Sequence, residues 1–480
     1  MKTYLFYDIE TSGLNPAFDQ ILTFACIRCD QNFNEIERDS VTIQLRPDIV
    51  PSPQAFIIHR LSHEDLKAGL PEYEACKKIH KIVNKPETVS LGYNTLKFDD
   101  EFLRFSFYRN LLDPYTHQYK NRCSRMDIFP LATLFYLFKP EIIEWPYNDG
   151  KISFKLEKIS NKNSLTVSGR AHEAMADVEA TFNLARIFSR EQKIYNYAMD
   201  FFSKQKDELR ISKIENCLNL KGQAFKLGIM VSHRLGPDKN YMALVINIGK
   251  STKYSNQNLW LRLDETDILS FVSNPEESTS LVIRKRYGDL PIILPAKARF
   301  YERLTNESVQ QAEANLRAIS NNIDDFFKII NFHIEFQYLF IPDLDPDAGL
   351  YQNGFFNNHE KKDILDFKNA NLDGKILVTE TMGSERVKIL AQRIIQRNYS
   401  SKLPEPEQFA EYNELMKKLR SSKTSKAVKG FKNDTKLNCE NALKELEETR
   451  KLALDGEQKE ILDWLQGYIK AMQHGVEAGH

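Results

Sequence analysis

An excess of charge of either sign is missing from this chain. Its 480 residues carry 66 Lys plus Arg and 66 Asp plus Glu, a formal net charge of zero. A uniformly basic surface is thereby excluded, so any surface for nucleic acid has to be local. Cysteine is scarce: six residues, Cys26, Cys29, Cys76, Cys123, Cys217 and Cys439. Only Cys26 and Cys29, in "ACIRCD", have the spacing of a metal or redox pair, and no second such pair or close His pair accompanies them. They read as strand residues in a reduced compartment. No apolar run approaches the ~18 residues of a membrane span, and no basic-then-apolar leader precedes the first strand. The expectation is a soluble, cytoplasmic protein without a membrane role. Fixed-period repeats and low-complexity tracts are absent too.

What is present is material for cores. Hydrophobic residues make up 42% of the chain, and its length exceeds one ordinary domain, so two or three domains are expected. Residues 1 to about 190 alternate strand and helix signals. "TYLFYDIE", "QILTFACIRC", "SVTIQLRP" and "TVSLGYN" read as strands; "DEFLRFSFYRN" and "HEAMADVEATFNLARIF" read as helices. This predicts an α/β domain with helices packed on a mixed sheet. Between about 205 and 300, "FKLGIMVS", "YMALVINIG", "NLWLRLD", "SLVIRKRYG" and "LPIILPAKARF" predict a small barrel or sandwich. From about 303 onward the apolar periodicity is helical, as in "NESVQQAEANLRAI", "SERVKILAQRIIQR" and "EQKEILDWLQGYIKAM".

The first strand ends in two like charges, Asp8 and Glu10, which alternation places on one face. Two close carboxylates raise one another's pKa, and a bound dication removes the conflict. Hard oxygen donors suit Mg²⁺ or Mn²⁺ better than zinc. The bland reading is a strand cap and a solvated Glu. Further on, "LGYNTLKFDDEFL" runs from a strand through Asn94 into a helix with Asp99 and Asp100 in its first turn, where acids are common for electrostatic reasons alone. "RAHEAMADVEATF" sets His172 five residues before Asp177. Five helical residues turn through about 140°, so both side chains can aim at one point only if His172 lies at or before the helix start.

In this order the three stretches resemble the motifs of the DEDD exonuclease superfamily, His-type branch, with its ribonuclease H-like fold. "FYDIETSG", "LGYNTLKFDDEFLRFSFYRNLLDPY", "EWPYNDGKISFKLEKIS" and "AHEAMADVEATF" are similar to bacterial exonuclease I. The similarity thins after about residue 190, where "GLYQNGFF" and "IIQRNYSS" are the best fragments. The resemblance implies a ribonuclease H-like exonuclease domain over 1–195. It then implies an SH3-like β domain with flanking helices over 196–345 and an all-helical domain over 346–480. It implies a monomeric enzyme that degrades single-stranded DNA from the 3′ end, in repair and recombination, with single-strand DNA-binding protein as partner. Asp8, Glu10, Asp99 and Asp177 would hold two Mg²⁺ ions, or Mn²⁺, with His172 as general base.

Substrate contacts carried over are Glu10, Thr11, Ile57, Asn94 and Lys155. Thr11 also reads as a turn residue, Phe56 and Ile57 as core, and Lys155 as a solvated cation. "AFIIHRLSHEDL" departs from the family, since His59 and Arg60 are bulkier and more polar than usual there. Residues 415–433, with Lys417, Lys418, Arg420, Lys423, Lys426, Lys429 and Lys432 and no acid, read either as a solvated loop or as a path for phosphates, Lys423, Lys426 and Lys429 being its centre. The same motifs occur in exoribonucleases and proofreading exonucleases, and an inert nuclease fold that only binds nucleic acid would keep the fold but lose a motif residue. All five motif residues are present here.

Overall fold

The computed structural model describes residues 1–166, 173–265, 267–403, 409–421 and 427–475. His172, Lys423 and Lys426 lie outside these. The chain forms two compact units. The first comprises residues 1–125, 166–182 and 340–480; the second comprises 126–165 and 183–339. The packing units therefore cut across chain order, and the first draws on both ends of the sequence.

In the first unit, β1 (Thr3–Thr11) lies at the centre of a five-stranded mixed sheet. It pairs antiparallel with β2 (Ile21–Cys29) and parallel with β4 (Thr88–Gly92). β3 (Glu35–Thr42) and β5 (Ser124–Asp127) are the edges, in the order β3-β2-β1-β4-β5. The strand expected from "SVTIQLRP" begins earlier, at Glu35, and stops at Thr42. The polar segment Glu35–Asp39 had no apolar alternation to betray it. As an edge strand it shows most of its side chains to solvent, where charges are tolerated and discourage further pairing. β2, by contrast, is buried throughout, and Cys26 and Cys29 are core residues whose thiols burial pushes up to about 12.

The helix Asp99–Arg109 follows β4 and packs Phe102, Phe105, Phe107 and Tyr108 into two cores. One of these, beneath Phe105 and Tyr108, also takes in Leu390, Ile394, Leu415, Leu446, Leu462 and Ile469. The N-terminal sheet region and the C-terminal helices thus share apolar interior. The helices Glu385–Tyr399, Ala410–Arg420, Cys439–Thr449 and Gly456–His474 match the helical periodicity of the sequence. Asn358–Asn369 and Leu372–Thr381 are further helices that the periodicity did not signal.

The second unit carries the hairpin β6 (Tyr147–Asn148) and β7 (Lys151–Ile152). Its main sheet is built of β8 (Asn216–Leu220), β9 (Gln223–Val231), β10 (Met242–Lys250), β11 (Gln257–Arg262), β12 (Val282–Arg286) and β13 (Ile292–Pro295). All its pairs are antiparallel, in the order β12-β11-β10-β9-β13 with β8 beside β9. Trp260 is fully buried in it. No helix among the described residues is long and apolar enough to cross a membrane.

Candidate metal and nuclease site

The site starts at the C-terminal end of β1. Tyr7 and Ile9 are buried in the sheet core while Asp8 and Glu10 are only half-buried. β4 runs parallel beside β1 and ends at Gly92. A Cβ there would come within 2.5 Å of the Tyr7 carbonyl oxygen and 2.2 Å of the Thr95 methyl. Only glycine lets the second motif leave the sheet this close to the first. Asn94 then adopts a left-handed conformation, φ 66°, opening the turn Thr95–Lys97 that leads into Asp99. Asn94 is exposed and Asp99 buried.

Asp177 comes from the first turn of the helix Ala174–Phe188. That helix packs on the sheet through Phe182, edge-on to Phe6 at 5.4 Å between ring centroids, and Arg38 of β3 pairs with Glu179. So anchored, Asp8, Glu10 and Asp177 bring carboxylate oxygens within 4.8 Å of one another. The electrostatics match the geometry. Burial, then Asp99, Glu10 and Asp177, hold the Asp8 carboxyl well above the usual range. Burial, then Asp177 and Asp99, push Glu10 up to about 9. All the neighbours that set these two shifts are carboxylates. Like charges packed together at oxygen donors are a group fit to hold divalent metal ions.

Other residues fall as follows. Thr11 is buried and its hydroxyl donates to the Gly13 carbonyl at 2.7 Å, so it serves the turn after β1. Gly13 is needed there, since its Cβ would overlap the Asp19 carboxylate at 2.4 Å. Ile57 is buried, 8% exposed, in the shared core; on the same helix, Pro53–His59, Ile58 is the exposed residue. Lys155 belongs to the second unit, exposed, just before the helix Leu156–Asn163. Lys429 is half-buried and its carbonyl accepts from Asp345 N–H at 3.2 Å. Of the family departures, Arg60 pairs with Asp455 at 2.6 Å and Glu457 at 2.7 Å. His59 is buried, its Nδ1 accepting from Leu61 N–H at 3.1 Å, and burial lowers it to about 3.

Asp100 is the residue that sequence reasoning did not separate. It is a first-turn acid like Asp99, but its side chain turns the other way chemically. Arg104 reaches it at 2.6 Å, His117 Nε2 at 2.9 Å, and Arg125 pairs with it as well. Burial alone would raise this carboxyl; Arg104 and Arg125, with His117, hold it below the usual range. The i,i+4 spacing of Asp100 and Arg104 was the available signal.

A family model described as Exonuclease matches residues 5–185. Exodeoxyribonuclease I of Buchnera aphidicola subsp. Schizaphis graminum is 30% identical over 447 residues, covering 87% of this chain and 88% of that protein. Among solved structures, Escherichia coli exonuclease I in complex with a dT13 oligonucleotide superposes with a TM-score of 0.82 at 26% identity, over 98% of this chain and 100% of that one. The zinc-bound form of the E. coli enzyme with single-stranded DNA superposes equally well, 0.82, at 25% identity, over 98% of this chain and 99% of that one.

Proposed function

The chain belongs to the exodeoxyribonuclease I family, and from that premise we propose that it removes nucleotides one at a time from the 3′ end of single-stranded DNA. The observation that carries this reading is the convergence of Asp8 and Glu10 from the first strand and Asp177 from a distant helix onto one point. Asp8, Glu10, Asp99 and Asp177 would hold the metal, as two ions, with Mg²⁺ or Mn²⁺ favoured by an all-oxygen donor set. When bound, two dications supply charge stabilisation for attack on phosphorus and for departure of the leaving oxygen.

The chain's own residues do the rest. His172 accepts a proton from the attacking water, a task its ordinary pKa near 6.5 suits at neutral pH. The water oxygen bonds to phosphorus as the P–O3′ bond breaks. A nucleoside 5′-monophosphate leaves, and the shortened strand keeps a new 3′-hydroxyl. The turn at Thr11 and the loop at Asn94 flank the carboxylates in sequence and would orient the terminal nucleotide. We read residues 1–195 as the ribonuclease H-like part, 196–345 as an SH3-like β domain and 346–480 as a helical domain. The reading includes a monomer and contact with single-strand DNA-binding protein, to be checked by sedimentation and by titration with that protein.

The deciding experiment is release of mononucleotides from 3′-labelled single-stranded DNA, with matched RNA alongside and EDTA as control. Mg²⁺-dependent release from DNA in preference to RNA is the expected result. Preference for RNA, or release that survives EDTA, would overturn it.

A further inference from the structure

Within the first unit, Phe355 is 79% exposed and Tyr351 41% exposed. The loop that presents Phe355 is held by one guanidinium: Arg386 donates to the carbonyls of Asn353 at 2.5 Å, Gly354 at 3.3 Å and Phe355 at 3.1 Å. The Phe355 ring stands edge-on to Tyr115, 5.5 Å between centroids. Tyr351 stands edge-on to the fully buried Phe105 at 5.5 Å and to Phe431 at 5.4 Å. Phe431 carries Lys432 over its face at 5.2 Å. The nearby acid, Glu101, is matched by Arg104 at 2.5 Å.

Exposed large rings normally cost solubility without return, and a rigid, partly cationic cluster of them marks a binding surface. The end of the basic stretch 415–433 thus meets aromatic rings rather than open solvent. Exposed flat rings beside a lysine are what unpaired bases and their phosphates require. We propose that Phe355, Tyr351 and Lys432 form a stacking step for the bases of a single strand, remote in sequence from the carboxylate site. This rests on the nuclease reading for its ligand and goes beyond it in naming a surface.

The test uses the full-length protein in EDTA, so that binding is read without hydrolysis, and a labelled oligothymidylate of about 20 nucleotides, long enough to span more than one stacking site. Phe355→Ala is expected to weaken binding roughly 5- to 100-fold, the effect of one lost base–aromatic stack, and Phe355→Tyr to restore it. The same strand with abasic positions should not distinguish Phe355→Ala from wild type. Lys432→Ala should flatten the salt dependence by about 0.7 in log–log slope. The ring is exposed, so thermal melting of Phe355→Ala is expected to match wild type. Affinity for oligothymidylate unchanged in Phe355→Ala and salt slope unchanged in Lys432→Ala would overturn the proposal. So would a change of sedimentation in Phe355→Ala, which would assign the face to a second copy. If wild type binds DNA but releases no mononucleotides with Mg²⁺, the nuclease reading falls while the binding result still judges the step.

Discussion

Two of the clusters of charge among the described residues of the first unit are built on opposite terms. At the end of β1, Asp8, Glu10, Asp99 and Asp177 lie together, and burial with the neighbouring carboxylates raises Asp8 and Glu10. Elsewhere, among the described residues, Arg46, Arg109, Arg393, Arg397 and Lys436 face Asp48, Glu72, Asp345, Asp347 and Glu411, five charges against five. Asp48 alone is met by Arg46 at 3.1 Å, Arg397 at 2.9 Å and Lys436 at 3.2 Å. The balanced cluster is complete as it stands and joins segments far apart in sequence. In the acidic cluster the groups that shift Asp8 and Glu10 are themselves carboxylates. Burial of charge is therefore not itself the mark of a site; the sign of the remainder is.

The sharpest way to break the comparison is to remove one carboxylate from each cluster. Asp8→Asn or Asp177→Asn should abolish mononucleotide release. More than about a tenth of wild-type activity remaining in either variant would contradict a metal-holding role, because ligands of a catalytic metal are not replaced by neighbours. In the metal-free protein the same changes should leave melting temperature unchanged or raise it, since they relieve repulsion. Asp48→Asn should do the reverse. It leaves Arg46, Arg397 and Lys436 without their shared partner, and loss of one member of a buried network costs about 3–5 kcal/mol. Urea unfolding would measure it, and a loss below about 1 kcal/mol, the scale of an exposed pair, would contradict the clamp.

His172→Ala should lower kcat by roughly 10²- to 10⁴-fold, the usual worth of a general base. Metal affinity, followed calorimetrically, should stay near wild type; its loss would make His172 a ligand instead.

Carboxylates paired with cations and the carboxylates of the acidic cluster should also respond oppositely to pH. Glu360, paired with Arg386 at 2.6 Å, is lowered from 4.5 to about 2, led by its hydrogen bond from Arg386. Its contribution to stability is present above about pH 4.5 and lost as pH falls toward 2; Asp48 is depressed in the same sense. Glu10, raised from 4.5 to about 9, binds its proton more tightly folded than unfolded. Its contribution is full below about pH 4.5 and fades as pH rises to 9. Melting temperature in EDTA should therefore sag on the alkaline side and recover with Mg²⁺ or Mn²⁺ at pH 8, but not in Asp8→Asn. Equal recovery in that variant would place the stabilising ion elsewhere.

The smallest expected effect concerns thiols. Cys217 is exposed, whereas Cys26 and Cys29 are buried with pKa near 12. A disulfide-exchange reagent at pH 8 should label Cys217 first and the other two only on unfolding.

Alternation along the first strand made the shared face of Asp8 and Glu10 legible in sequence, and Asp99 and Asp177 were joined to them through the resemblance to the exonuclease motifs. The balanced cluster was not legible. Asp48 meets Arg397 across 349 residues and Lys436 across 388, and no local pattern reports a partner at that distance. Asp99 and Asp100 looked interchangeable because the first-turn rule applies to both; only Arg125 and His117, brought in by the fold, tell them apart. The strands β9 to β13 of the second unit were readable from alternation and turns; the polar β8 was not. Leu372–Thr381, "LDGKILVTET", was not, because its β-branched residues and glycine speak against the helix that tertiary packing imposes.

The interleaved chain path bears on how the protein is made. Residues 126–165 and 183–339, the whole of the second unit, are synthesised before residue 340 is added. The first unit, which begins the chain, must wait for 340–480 before Asp48, Glu72 and Arg109 can meet Asp347, Arg393, Arg397 and Lys436. At ~5–20 residues per second that delay is about 7–30 s, during which Phe105 and Tyr108 stand without the C-terminal helices that share their core. The part of the chain synthesised first is thus the last to become a finished body: all five strands of its sheet are present by residue 127, but one of its two cores and its balanced charge cluster wait for residues 340–480.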